Sequence, residues 1–110
     1  MYIKYDEYEL LELFENEPIL VCGEEAGVFM YSNVDKCNVK IVMLFSVYEN
    51  TCKVSLCHAS HNDKTIFECN IVDVERLECS KSTMKIVKIG GAVPISISFD
   101  PNYAINIENL

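Results

Sequence analysis

The sequence predicts an α+β fold, with one N-terminal helix packed on a mostly antiparallel, meandering or partly rolled sheet of seven or eight short strands. Three patterns predict it. From Val39 to Val47 apolar residues recur at every second position (Val39, Ile41, Met43, Phe45, Val47), which in a strand places all five on one face. Only Tyr5 to Asn16 carries an apolar stripe at helical spacing. Clusters of Gly, Asn, Asp and Ser then punctuate the rest of the chain at short intervals, the pattern of strands joined by tight links.

In chain order, the helix comes first. Asp6 suits its N-cap, Glu9 stands where a capping-box residue reaches back, and acidic residues in the first turn favour the helix dipole. Leu10, Leu11 and Phe14 form the buried stripe, widened by Leu13 and Tyr8, and Pro18 stops the helix beyond Asn16. So short a helix is held by packing on the sheet. A strand at Ile19 to Cys22, a turn at Gly23-Glu24-Glu25-Ala26-Gly27 and a strand at Val28 to Tyr31 come next, then a polar loop from Ser32 to Asn38.

The stretch Asn38 to Cys57 organises the rest. Its first strand turns at Glu49-Asn50-Thr51 into a second, where Cys52, Val54 and Leu56 alternate with Lys53 and Ser55. Val42 and Leu44 give the first strand a second apolar face, which predicts burial on both sides and a central place in the sheet. His58 to Lys64 reads as a connection, and Thr65 to Cys79 as one long strand or two broken near Asp73. Ser80-Lys81-Ser82, Gly90-Gly91 and Asp100-Pro101-Asn102 are turns. They separate strands at Thr83 to Ile89, Pro94 to Phe99 and Tyr103 to Ile107.

The 110 residues fit one domain, 1–110, large enough to bury a sizeable core. Half of them are apolar, which argues against disorder. No apolar run is long enough to span a bilayer, and the charged N-terminus has no signal-peptide h-region, so the expectation is a soluble, cytoplasmic protein. On that reading the six cysteines (Cys22, Cys37, Cys52, Cys57, Cys69, Cys79) are free thiols. One Arg beside eight Lys, with many Ile and Asn, matches the codon bias of an AT-rich bacterial or phage genome.

Charge narrows the function classes. The formal net charge is −8, and residues 1 to 25 alone carry eight carboxylates against Lys4. The other 85 residues are nearly neutral. Such a pole repels nucleic acid and anionic membrane, and it attracts basic proteins. Tyr2, Tyr5 and Tyr8 are interleaved with these acids; Tyr contributes contact area while carboxylates steer a basic partner. The residues expected to bind it are Asp6, Glu7, Glu9, Glu12, Glu15, Glu24 and Glu25, with Tyr5 and Tyr8. Tyr5 and Tyr8 equally suit packing of the helix onto the sheet.

No catalytic or cofactor motif stands out. Cys57, His58, His61 and Cys69 carry good zinc-ligand chemistry, but the chain has no Cys-x-x-Cys pair, and alternation aims Cys57 away from Leu56. Neighbours on a strand face opposite sides, which also argues against a Cys57–His58 dyad. Gly90-Gly91 precedes a strand and not a helix, so it is no phosphate loop. The expectation is a non-enzymatic protein without metal or cofactor.

Its size, its acidic pole, the early Leu13-Phe14-Glu15-Asn16-Glu17-Pro18 segment and the meandering sheet together resemble the bacterial immunity proteins that neutralise polymorphic or contact-dependent toxins. The resemblance implies an inhibitor of one cognate toxin, whose basic active site would meet the acidic surface, and it leaves the mode of inhibition open. Two alternatives come from other classes. One is a structural or assembly component of a phage or secretion system that self-associates through sheet edges. The other is a small zinc or thiol enzyme centred on Cys57, His58, His61 and Cys69.

Overall fold

The computed structural model describes residues 2–108. One helix and nine strands lie among them: α1 (Glu7–Phe14), β1 (Ile19–Leu20), β2 (Val28–Val34), β3 (Val39–Ser46), β4 (Thr51–His58), β5 (Lys64–Ile71), β6 (Val74–Ser80), β7 (Thr83–Lys88), β8 (Ile95–Ser98) and β9 (Ala104–Ile107). The fold class is α+β. The strands form two antiparallel meanders, a five-stranded sheet ordered β1-β2-β3-β4-β5 and a four-stranded sheet ordered β6-β7-β8-β9.

The break near Asp73 is where the chain changes sheets. Val72 is exposed, Asp73 adopts a positive φ of 56°, and β6 starts at the next residue. Asn and Asp tolerate that left-handed conformation better than branched residues do. The N-terminus ties the two sheets together. Ile3 donates its N–H to Val47 O at 3.1 Å, and Lys4 both donates to Glu75 O and accepts from Leu77 N. This places Lys4 alongside Arg76 as a parallel bridge, so the outer edge of β6 is covered by the N-terminal segment.

The β3–β4 hairpin forms as its alternation dictates, with Ile41 opposite Leu56, Met43 opposite Val54 and Phe45 opposite Cys52. Together with Tyr31 and Ile71 they make the inner face of the first sheet. From the second sheet, Leu77, Met84, Ile86, Ile95 and Ile97 complete a common core. The outer face of the second sheet is polar, with Glu78, Lys85, Ser96 and Asn106 in one register row.

The outer face of the first sheet corrects one expectation. β3 is the central strand, but no element among the described residues covers its far side, and Val42 and Leu44 are only half-buried. Ile19, Met30, Leu44 and Lys53 form a row there. Ion pairs of Lys53 with Glu68 (2.7 Å) and of Lys40 with Asp63 (3.2 Å) flank it.

The helix is shorter than the sequence stripe suggests, because Glu15 takes a left-handed C-cap conformation (φ 58°). β2 runs on to Val34, through half of the expected polar loop, since Ser32 and Asn33 pair with Val42 and Ile41. At the helix start Asp6 accepts hydrogen bonds from the N–H groups of Tyr8 (2.9 Å) and Glu9 (3.3 Å). Leu10 and Phe14 are fully buried. The Phe14 ring lies 5.3 Å from Tyr31 of the first sheet and 5.0 Å from Phe99, which follows β8 of the second. The helix therefore plugs the opening between the sheets. Burying one such ring stabilises by about 1.5–3 kcal/mol.

Candidate functional site

Because Leu10 and Phe14 face the core, the other helix residues are displayed on two flanks. Glu7, Tyr8 and Leu11 stand on one flank, beside Tyr31 and the segment that leads into β1. Glu9, Glu12 and Leu13 stand on the other, beside the β6–β7 turn. Each flank borders a cavity, and the two differ in charge.

On the β6–β7 flank, Glu9 and Glu12 share a cavity of ≈ 190 Å³ with Lys81. An adjoining depression brings Asp6 and Glu9 together with Lys4 and Arg76. Arg76 is itself ion-paired with Glu75 and Glu78. These acids are partly balanced by bases, and the Asp6 carboxylate is committed to capping the helix. Cys79 lies below them, its thiol pushed up to about 12 by burial, with Glu9 and Asp6 adding to the effect.

On the opposite flank, Glu7 and Glu17 line a cavity of ≈ 230 Å³ with Tyr8, Leu11, Pro18 and Tyr31, and no Lys or Arg borders it. Tyr8 is 75% exposed, while Tyr31 is 2% exposed. Burial pushes the Tyr31 phenol up to about 12; Tyr5, Glu7 and Glu17 push it the same way.

The remaining expected residues are scattered. Glu15 is exposed at the helix C-cap, near enough to Tyr103 to help burial and Asp35 raise that phenol to about 12. Glu24 and Glu25 are exposed on the β1–β2 loop, off the helix. Tyr5 packs its ring against Phe45 (5.1 Å) and Phe29 (5.8 Å), so much of its area is used internally. Four residues of the Glu7 cavity, Leu11, Glu17, Pro18 and Tyr31, are missing from the expected set. Glu17 belongs to the acidic pole but lies beyond the helix, and nothing local in the sequence marks Tyr31 as other than a strand residue.

The Cys57, His58, His61 and Cys69 group does not converge. Cys69 pairs with Val54 and packs against the core, whereas Cys57 borders the outer-face depression with Ser55 and Val42. The His58 and His61 rings are 5.5 Å apart at the β4–β5 turn. All six cysteines are free. Among the described residues no cluster of three or more His, Cys, Asp or Glu side chains could hold a metal, and no helix is long and apolar enough to cross a membrane.

No family model and no curated protein matches the chain. In fold, the chain is similar to a chain of a solved contact-dependent growth inhibition toxin–immunity protein complex from Klebsiella pneumoniae 342. The TM-score is 0.74 at 23% identity, with 98% of each chain covered. The architecture of helix plus meandering sheets is thus one found in a toxin–immunity complex.

Proposed function

We propose that this chain is the immunity component of a toxin–immunity pair, a non-enzymatic inhibitor that binds one basic toxin domain through its acidic N-terminal surface. The observation that carries the reading is the concentration of charge: eight of the 17 carboxylates fall in the first 25 residues. Most of those carboxylates are exposed on or around the helix. The likeness to a chain of a toxin–immunity complex supports it at the level of fold. Carboxylates displayed on a rigid helix steer a basic partner and raise its association rate. The surface contributes charge, tyrosine area and shape.

Binding kinetics with a basic protein captured from the native host test this. Association slows steeply as salt rises, since the steering field is screened over about 10 Å at 0.1 M. Replacing Glu9, Glu12 and Glu15 together by Lys weakens binding without unfolding, because all three are exposed. Unchanged affinity in that variant, with no salt dependence, contradicts the proposed surface.

A further inference from the structure

The Glu7–Glu17 cavity has a feature that a solvated acidic face does not explain. Tyr31 is 2% exposed, its ring stacked on Phe45 at 6.1 Å and tilted against Phe14 at 5.3 Å, and a Tyr so deeply buried ordinarily gives its hydroxyl a hydrogen-bond partner. No hydrogen bond among the described residues involves that hydroxyl, yet no fully sealed side-chain polar atom is left unsatisfied. The hydroxyl therefore keeps some contact with the outside, and Tyr31 is one of the residues that line the Glu7–Glu17 cavity.

The surroundings select a ligand. Glu7 and Glu17 both lie close enough to act on the phenol. Leu11 and Pro18 supply an apolar wall, and Tyr8 adds a largely exposed ring at the rim. The geometry points to a socket for a single cationic side chain of the partner, an arginine. Its methylene stem lies along Leu11 and Pro18, and its guanidinium sits between the Glu7 and Glu17 carboxylates, donating to the Tyr31 hydroxyl oxygen. Planar guanidinium suits this better than ammonium, because it pairs with carboxylates in a fork and stacks on aromatic rings. The inference rests on the proposed function for its partner, and it moves the centre of the binding surface from Glu9 and Glu12 to Glu7 and Glu17.

NMR titration with N-acetyl-L-arginine methylamide tests it on the chain alone, with the lysine and norleucine analogues as controls. The expected result is saturable shifts of the Tyr31 and Tyr8 ring signals at roughly millimolar ligand. Lysine binds several-fold more weakly and norleucine does not saturate. Glu7→Gln with Glu17→Gln lowers the affinity at least tenfold and Tyr31→Phe several-fold, while Glu49→Gln with Glu108→Gln, at exposed carboxylates that do not line the cavity, leaves it unchanged. No saturable shift, equal binding of norleucine, or equal loss in the Glu49 and Glu108 variant overturns the socket. A toxin that binds tightly and is indifferent to Glu7→Gln/Glu17→Gln sinks the socket alone. Arginine binding by a chain that captures no toxin sinks the proposed function alone.

Discussion

Asn50 and Val74 exchange two hydrogen bonds across the junction of the two sheets. The Val74 N–H donates to Asn50 O at 2.9 Å, and Asn50 Nδ2 donates to Val74 O at 2.9 Å. Asn50 also holds φ at 57° in the β3–β4 turn, so one residue closes the organising hairpin and fixes where the second sheet begins. Asn50→Ala therefore costs about 1–3 kcal/mol through the orphaned carbonyl and the left-handed backbone. Asn50→Gly keeps the backbone freedom and loses less. Urea denaturation of the two variants checks both the size and the order.

Phe14 joins the helix to both sheets, and Tyr8, six residues earlier, joins it to neither. Phe14→Ala is expected to cost about 3–5 kcal/mol, because it empties a fully buried site. Tyr8→Ala, at a 75% exposed position, stays within about 0.5 kcal/mol. Equal losses in thermal or urea melts would contradict the plug arrangement.

The thiols divide by exposure. Cys22 and Cys37 are exposed and Cys52 is buried, its thiol pushed up to about 12 by burial and then by Cys69. Reaction with a disulfide reagent at pH 8 should label Cys22 and Cys37 first and reach Cys52 only on unfolding. Peptide mapping of the labelled protein reads the order directly.

Alkaline titration probes the cavity floor. The Tyr31 phenol is neutral when protonated, and its folded value of about 12 stands above the ordinary 10.0. Stability from this group is thus complete below pH 10 and is lost as pH rises toward 12, since the unfolded chain releases its proton first. Absorbance at 295 nm should show a late step from Tyr31 and Tyr103 that shrinks by one phenol in Tyr31→Phe. That variant should also lose less stability than the parent between pH 10 and 12.

The sequence makes the β3–β4 hairpin legible because period-two alternation sets which side chains share a face, and Asn50 marks its turn. The break at Asp73 is legible too, but alternation does not say that β6 leaves one sheet for another. Long-range contacts such as Lys4 with Glu75 and Leu77 decide that. Val42 and Leu44 mislead for a related reason: a strand apolar on both faces reads as doubly buried, whether or not anything covers the second face. At the site, the acidic pole is plain from charge alone. Its division into a flank balanced by Lys81, Lys4 and Arg76 and a flank with no base depends on where β2 and the β6–β7 turn meet the helix, and no local pattern encodes that.

The central claim, that the acidic helix surface serves to capture a basic toxin, is tested most directly by affinity capture from the native host at low salt. Elution follows with a salt step, and bound proteins are identified by mass spectrometry. The account predicts one basic protein released by salt, which stops growth when expressed alone and is harmless beside this chain. Recovery of the chain alone, assembled with itself, would contradict the account, as would growth arrest caused by this chain.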